Sequence, residues 1–302
     1  MKTNKILDKI FYSYQPILNV YSGNTVGVEA FLRGYNNLGF SNIPQFFDTI
    51  KNEKNYLEIE CEIMRKAIKG FKKANFSKNI ILFININDTF VGNDEFNFDN
   101  VTEIITDEGL FLENICFDID GGMNKHFIKT FNILIDYAKE SGFKLSIDNY
   151  GVYSMNYPLL SQDSPNFIKI DRDLVSNVNN IRYGTFLQYI TRIAHLFGIN
   201  IIAECVETKE EYFMIKQFGI DMLQGYFVAK PTKDIESIDL VYKSVEEAAK
   251  LDRRRAATDE DLIRDRLDTV KPVLINSTME EVFERFEDNP ELTILPVVDN
   301  TG

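Results

Sequence analysis

Side chains that can bind metals or phosphates recur along the first three quarters of the chain, each close to the end of a short apolar run. Their carboxylate and amide oxygens are the donors that Mg²⁺, Mn²⁺ and Ca²⁺ prefer. A lysine and an arginine at similar positions would offset the charge of a phosphate ester. In chain order the residues are Glu29, Arg33, Asn85, Asn87, Asp118, Asp120, Asp148, Asn149, Lys169, Asp171, Glu204, Glu207 and Gln224. Two hard metal ions held by such a set would hydrolyse a phosphodiester.

A single member of this set carries little information, because an Asp or Asn after a strand is most often a helix N-cap or a turn residue. Seven successive strand ends with ligand-type side chains are harder to explain in that way. Carboxylates that converge on one point repel each other unless cations lie among them. The complete set therefore predicts a cation-dependent phosphate site.

Composition limits the partners and the location of the protein. The chain has 302 residues, and its 33 Lys and Arg against 46 Asp and Glu give a net charge of −13. Such an acidic surface repels long DNA or RNA, whereas a small anion held through a metal remains compatible with it. The apolar runs are shorter than the roughly 20 residues that span a bilayer, and the first residues lack a secretory signal. We expect a cytoplasmic protein that is not attached to a membrane.

The cysteines and histidines predict no further chemistry. Cys61, Cys116 and Cys205 are far apart and form no CxxC pair, which indicates reduced, mostly buried thiols. His126 and His195 lie in helix-like stretches, where a core or surface position is more common than a catalytic one.

The elements that would position the polar set are eight β-rich runs that alternate with amphipathic stretches. A turn over 21–24 joins the first two runs, so these should be antiparallel. Helical spacing over Lys125–Ser141 and Tyr183–Phe197, each followed by glycine, indicates crossover helices. The predicted strands are Phe11–Val20, Thr25–Leu32, Ile80–Ile86, Ile115–Ile119, Lys144–Ile147, Phe167–Ile170, Asn200–Ala203 and Met222–Phe227. This order predicts an α/β fold, a TIM-type (β/α)8 barrel with an antiparallel first strand, and a doubly wound open sheet is the alternative.

Three parts are predicted along the chain: a barrel over residues 1–240, a helical linker over 241–270 and a partial module over 271–302. Dense charges of both signs indicate a solvated helix over Val245–Val270, with a break near Thr258.

The last part has the pattern of a βαβ half-module. Two predicted strands, Pro272–Ile275 and Leu292–Val298, enclose a helix over Met279–Glu287 that Ser277 and Glu280 would cap. One such unit is too small to bury a core alone. We therefore expect a truncated module, or one that packs on the barrel or on a second chain.

Eight short motifs of the barrel region match one family in order and spacing. They are Tyr14-Gln15-Pro16-Ile17, Glu29-Ala30-Phe31-Leu32-Arg33, Phe83-Ile84-Asn85-Ile86-Asn87, Phe117-Asp118-Ile119-Asp120, Ile147-Asp148-Asn149-Tyr150-Gly151, Ile168-Lys169-Ile170-Asp171-Arg172, Ile202-Ala203-Glu204-Cys205-Val206-Glu207-Thr208 and Gln224-Gly225-Tyr226 with Pro231. On these residues the region 11–232 resembles the EAL domain, which binds or hydrolyses the bacterial messenger cyclic di-GMP.

The resemblance implies a role for each matching residue. A first metal, Mg²⁺ or Mn²⁺ with Ca²⁺ as an inhibitory or structural substitute, would be held by Glu29, Asn85, Asp118 and Asp148. Two residues would take part in catalysis: Glu204 would bind a second metal or a water, and Lys169 would orient the attacking water. Arg33 would hold the other phosphate. The groove for the nucleotide would be lined by Gln15, Phe31, Glu207, Gln224, Tyr226 and Pro231.

Four departures from the family pattern concern the metals and the walls of the groove. Phe31 replaces the Leu that gives the family its name, and Asp118 replaces a Glu that is one methylene longer. Asn149 replaces the second Asp of the Asp-Asp-Phe-Gly motif, which is a ligand of the second metal in active members. The loop Val152–Pro158, which is Gly/Ser-rich in active members, contains one Ser and no Gly, and Gly121 stands where a Glu would anchor it.

These changes converge on the second metal site. Losing a full charge beside a divalent ion should weaken its binding by several kcal/mol, and without it no bound hydroxide forms at neutral pH. We therefore predict a weak or inactive EAL-type module that retains nucleotide binding. One alternative is an active phosphodiesterase that linearises cyclic di-GMP, with Asp120 or Asp171 supplying the lost charge. Another is a scaffold for dimerisation that binds no nucleotide.

The region 271–302 resembles the first half of a CBS domain, a small regulatory module that often binds adenine nucleotides as a pair. A generic βαβ unit is the alternative. Because a CBS pair often precedes a GGDEF cyclase domain, the resemblance implies a longer native chain with CBS and GGDEF regions. We also expect a homodimer.

Overall fold

The structure, a computed structural model, describes residues 3–74, 76, 79–121, 125–151, 165–253, 272–288 and 295–299. The predicted loop Val152–Pro158 and the break near Thr258 lie outside these residues. The chain divides into two compact units, Met1–Lys250 and Leu251–Gly302, and each is described by itself.

Eight strands of the first unit form a closed barrel in sequence order. They are β1 (Phe11–Asn19), β2 (Thr25–Arg33), β3 (Ile81–Asn85), β4 (Ile115–Asp120), β5 (Lys144–Tyr150), β6 (Phe167–Ile170), β7 (Asn200–Ala203) and β8 (Met222–Leu223). Strand β1 is antiparallel to both of its neighbours, β2 and β8, and all other pairs are parallel. The predicted TIM-type barrel with an antiparallel first strand is confirmed, and the open-sheet alternative is wrong.

α-Helices of the first unit cover the outside of the barrel. The bounds of the described α-helices follow, and the last of them belongs to the second unit. They are α1 (Thr3–Leu7), α2 (Ile43–Ile50), α3 (Tyr56–Lys72), α4 (Asp88–Val91), α5 (Phe98–Asp107), α6 (Lys125–Ser141), α7 (Arg172–Ser176), α8 (Ile181–Leu196), α9 (Lys209–Gln217), α10 (Lys243–Arg253) and α11 (Met279–Glu287). Short polar side chains that accept a backbone N–H fix many of their starts. In the first unit these caps are Asn42, Asn87, Asn97, Asp171, Asn180 and Thr208.

The interior of the barrel has an apolar floor. Its members are Ile17, Phe83, Cys116, Phe167 and Ile202. Side chains two residues apart on a strand point to the same side, so the residue two positions further along each parallel strand points into the barrel above the floor. Those residues are Asn85, Asp118, Lys169 and Glu204, and on the antiparallel β1 the equivalent residue is Gln15. The period of the strands therefore brings distant polar residues to one mouth.

Strand β8 ends at Leu223, four residues earlier than predicted, because the chain turns at Gly225. There φ is 159° and the backbone lies directly against Val206. The N–H of Val206 donates to Gln224 O at 3.0 Å, and the N–H of Phe227 donates to Val206 O at 2.9 Å. This contact holds the segment after β8 over the mouth of the barrel.

We expect Gly225→Ala to lower the free energy of unfolding by about 3 kcal/mol or more, because its backbone has no room for a Cβ. That atom would lie 2.1 Å from Val206 O and 2.3 Å from Val206 N. The matched control is Gly142→Ala after α6, where φ is +82° but nothing lies within 4 Å of the added Cβ, so only the left-handed backbone costs about 1–2 kcal/mol. Urea unfolding of both variants measures the difference, and equal losses would contradict the close contact.

The second unit contains a parallel strand pair and one helix among its described residues. Strand β9 (Val273–Leu274) pairs with β10 (Val297–Val298). The cap of α11 is Thr278 with Glu281, so the predicted pair Ser277 and Glu280 is wrong by one residue. Both pairs satisfy the same sequence pattern, and the backbone decides between them. Among the described residues of the whole chain, no helix is both long and apolar enough to cross a membrane.

Candidate functional site

A buried lysine is the centre of the barrel mouth. The Nζ atom of Lys169 lies 2.6 Å from Glu29 Oε2, 2.9 Å from Asp118 Oδ2 and 3.2 Å from Glu204 Oε1. Its side chain has no exposed surface. These carboxylates come from β2, β4 and the end of β7, so one ammonium group joins three separate parts of the barrel.

Two further predicted metal ligands border this cluster. Asn85 Nδ2 donates to Glu29 Oε1 at 3.1 Å. Asp148 is paired in register with Asp120 on the neighbouring strand. The Oδ1 atom of Asp148 accepts a hydrogen bond from the N–H of Asn149 at 2.8 Å. The cluster thus combines four carboxylates, one amide and one lysine.

Burial and charge shift the ionisation of this cluster in opposite directions. Burial raises the pKa of Asp118 to about 7, although the nearby Lys169 ammonium opposes this. Burial also raises the pKa of Asp148 and raises the pKa of Glu204 well above its usual range. Burial alone would lower the pKa of Lys169, but Asp118, Glu29 and Glu204 together raise that pKa well above its ordinary value. The single positive charge of Lys169 does not balance the charges that these carboxylates would carry if all were ionised.

The donor set fits a hard divalent cation in its chemistry. Although Asp118 Oδ2 lies 2.9 Å from Lys169 Nζ, neither oxygen of the buried Asp118 has a hydrogen bond of good geometry among the described residues. The same residues contain no preformed group of three His, Cys, Asp or Glu side chains ready to hold a metal, because the carboxylates gather around Lys169. A metal would therefore share its ligands with this lysine.

A cavity of about 770 Å³ opens above the cluster. The predicted residues that line it are Gln15, Glu29, Phe31, Arg33, Asn85, Asp148, Glu204, Glu207, Gln224, Tyr226 and Pro231. Lys169 and Asp118 are not among the lining residues, because both are completely buried. The lining thus contains four predicted metal ligands and all predicted nucleotide-binding residues, whereas Asp118, Lys169 and Asn149 lie outside it.

Two arginines with different partners lie in the wall of the cavity. The guanidinium of Arg33 is 5.2 Å from the centre of the Phe31 ring, a cation–π contact. Arg172 Nη1 lies 3.1 Å from Glu207 Oε1. Among the described residues, no carboxylate is paired with Arg33. Its guanidinium would therefore be available to bind a nucleotide phosphate.

Asn149 has a left-handed backbone with φ of 55°. Its Nδ2 lies 3.4 Å from Asp120 Oδ1, so the side chain points to this neighbour. Gly121 donates its N–H to Asp148 O at 3.0 Å, and a Cβ on Gly121 would lie 2.8 Å from the same oxygen. A larger residue at position 121 would thus displace the backbone of Asp148, a predicted metal ligand.

Two members of the predicted set are helix caps. Asn87 caps α4 through Thr89 N, and Asp171 Oδ1 caps α7 through the N–H of Asp173 at 2.8 Å. The role of helix N-cap, which is the common one for Asp and Asn after a strand, therefore applies to these two residues. Of the two candidates for the lost charge, Asp120 lines the cavity and Asp171 does not.

Two polar residues of the cavity lining to which the sequence assigned no role are Cys205 and Glu60. Cys205 is exposed and has φ of 54°, so the prediction of mostly buried thiols is wrong for it, whereas Cys116 is buried. Glu60 on α3 is 7% exposed, and its Oε1 has no hydrogen-bond partner among the described residues. The available signal was its position in the buried stripe of an amphipathic helix, between Ile59 and Ile63.

Comparisons with known proteins agree with this architecture. A family model described as the EAL domain matches residues 3–231. The chain is 24% identical over 230 residues to the probable cyclic di-GMP phosphodiesterase PdeI of Escherichia coli K12, which covers 74% of this chain and 29% of that protein. The chain therefore spans less than a third of the length of this relative.

Solved structures share the fold. A standalone versatile EAL protein from Vibrio cholerae O395 with cyclic di-GMP bound has a TM-score of 0.65 at 22% identity, over 78% of this chain and 97% of that one. The Klebsiella pneumoniae protein BlrP1 in complex with manganese and cyclic di-GMP has a TM-score of 0.64 at 21% identity, over 74% of this chain and 56% of that one.

Proposed function

The chain belongs to the EAL domain family, and on this basis we propose that its barrel binds cyclic di-GMP through a divalent metal ion and hydrolyses it weakly or not at all. The observation that carries the proposal is the cavity of about 770 Å³, because its lining contains four of the predicted metal ligands together with the predicted nucleotide-binding residues. Relatives of the fold have been solved with cyclic di-GMP and with manganese or calcium, which supports the class of ligand and of ion.

The phosphates of the ligand would bind at the bottom of the cavity, next to the carboxylate cluster around Lys169. Glu29, Asn85, Asp118 and Asp148 would hold the ion, which supplies charge stabilisation for a phosphate and acidifies a bound water. Lys169 would hold Glu29 and Asp118 close together. Arg33 and its stacked Phe31 would contact the second phosphate.

The guanine bases would be recognised by carboxylates in the walls. Guanine presents two donors, N1–H and the N2 amino group, on one edge, and a carboxylate accepts both. Glu60 lines the cavity, so its carboxylate would face one base. Glu207 lines another part of the wall, where Arg172 orients it.

The geometry around Asn149 supports weak turnover. Its amide lacks the charge of a carboxylate and points to Asp120. Gly121 has no side chain at the position where the resemblance predicts an anchoring Glu.

An active phosphodiesterase is the second candidate function, and the position of Asp120 favours it. This carboxylate lines the cavity beside Asn149 and would supply one full charge to a second ion.

Calorimetry with Ca²⁺ and chromatography with Mg²⁺ or Mn²⁺ test the proposal together. We expect cyclic di-GMP to bind in calorimetry, with little or no linear product by chromatography. Glu29→Ala should abolish binding because it removes a metal ligand and a partner of Lys169, whereas Glu103→Ala on the exposed side of α5 should not change it. Rapid cleavage that Glu29→Ala abolishes would establish the phosphodiesterase instead, and a lack of binding and cleavage would favour the scaffold.

A further inference from the structure

Ser146 carries a buried hydroxyl on the inner face of the barrel. Its side chain has no exposed surface, and its Oγ forms no hydrogen bond with any residue that the structure describes. The residues on either side of it in β5, Leu145 and Ile147, pack in the large core that also contains helix residues such as Leu134. Because side chains alternate between the two faces of a strand, Ser146 points into the barrel.

Asp118 is the neighbour of this hydroxyl on the adjacent strand. The two residues are paired in register across β4 and β5, and neighbouring strands lie about 4.8 Å apart. Asp118 also points into the barrel, where its Oδ2 lies 2.9 Å from Lys169 Nζ. Neither of its oxygens has a hydrogen bond of good geometry among the described residues. A donor without an acceptor and a carboxylate with unused lone pairs therefore lie side by side on one face.

Such a pair of buried polar groups calls for a functional explanation. Nearly all buried polar side chains are hydrogen-bonded, and the exceptions often mark a catalytic role or an ion. A carboxylate that binds a metal is itself oriented by a hydrogen bond from a further group. A serine hydroxyl rotates to suit its acceptor, so Ser146 can supply that bond when Asp118 turns toward an ion.

We propose that Ser146 is a positioning residue of the metal site, whose hydroxyl donates a hydrogen bond to Asp118 and holds that carboxylate in the orientation that binds the ion. This inference rests on the proposed metal-dependent function. Because the hydroxyl is neutral, it adds no charge to the cluster. It occupies one lone pair of the carboxylate and leaves the others to the metal and to Lys169.

Ser13 on β1 provides a matched control for this role. It is also buried, and its Oγ also has no hydrogen-bond partner among the described residues. Its register partner is Phe31, which is not a predicted metal ligand. A general effect of removing a buried serine hydroxyl should therefore be the same in both variants, whereas an effect on the metal should appear at Ser146 alone.

Calorimetric titration of the full chain with Mn²⁺, without nucleotide, measures the effect. The relevant site is the one that Glu29→Ala removes. We expect Ser146→Ala to weaken Mn²⁺ binding at this site by about 10- to 100-fold, as is usual for groups that orient metal ligands. Ser13→Ala should leave the affinity unchanged. Ser146→Thr keeps the hydroxyl and should bind Mn²⁺ more tightly than Ser146→Ala.

Urea unfolding separates positioning from a merely structural role. Without added metal, Ser146→Ala should be as stable as the unmodified protein, because it removes a hydroxyl that has no partner. In excess Mn²⁺ the unmodified protein should gain more stability than the variant, by about 1.4 kcal/mol for each tenfold difference in affinity. If Ser146→Ala does not fold, Ser146→Cys, which keeps the size but donates only weakly, should show the same loss of affinity in smaller measure.

An unchanged Mn²⁺ affinity in Ser146→Ala, or an equal loss in Ser146→Ala and Ser146→Thr, would overturn the inference while the metal site itself remains. The same conclusion would follow if Ser146→Ala lost as much stability without metal as with it. If the unmodified protein has no Mn²⁺ site that depends on Glu29, the proposed function fails and this inference fails with it.

Discussion

Lys169→Met is expected to lower the free energy of unfolding by about 3–5 kcal/mol, because it leaves buried carboxylates without their cation. Glu29, Asp118 and Glu204 all lie within 3.2 Å of the lysine Nζ. Methionine matches much of the length of the lysine stem, so the variant removes the charge without a large cavity. The carboxylates that remain can then lower their energy only by taking up protons or by binding another cation.

Denaturant unfolding with and without Ca²⁺ measures this effect. A divalent ion should restore part of the lost stability in Lys169→Met, because it can replace the ammonium among the same oxygens. Lys51→Met removes a solvent-exposed ion pair with Asp48 and should cost less than about 1 kcal/mol. A loss in Lys169→Met as small as in this control would show that the carboxylates are already protonated in the folded protein.

The position of the site was predictable because it depends on local rules. Strand period and parallel order place residues such as Asn85, Asp118 and Glu204 at one mouth, and the sequence shows both features. The same reasoning included Asn87 and Asp171, because a helix cap and a metal ligand have the same residue types at the end of a strand.

These local rules could not predict the contacts between elements that are distant in the sequence. That Lys169 joins β2, β4 and the end of β7 depends on the barrel closing with a particular register. Glu60 lies on a helix, so an analysis of strand ends could not find it, although an acid in a buried stripe was visible. The end of β8 depends on the backbone contact between Gly225 and Val206. The homodimer and the CBS and GGDEF regions stay predictions.

Asn149→Asp is expected to raise metal-dependent hydrolysis of cyclic di-GMP by about 10- to 100-fold, because it would place a charged ligand at the proposed second metal position. The substitution requires no change of backbone, since Asn and Asp both tolerate the left-handed φ of 55° found here. The new carboxylate would lie close to Asp120 and adjacent to Asp148. Without metal this repulsion should destabilise the variant, and Mg²⁺ or Mn²⁺ should reverse the loss.

Rates at saturating Mn²⁺ and melting temperatures with and without the ion separate the two effects. Asn97→Asp makes the same chemical change at the cap of α5 and should alter neither the rate nor its metal dependence. If Asn149→Asp melts at a higher temperature with Mn²⁺ but hydrolyses no faster, the charge at position 149 is not what limits turnover. We would then propose that the limit lies at Gly121, where the resemblance predicts a Glu, because a second ion must also direct its water to the phosphate.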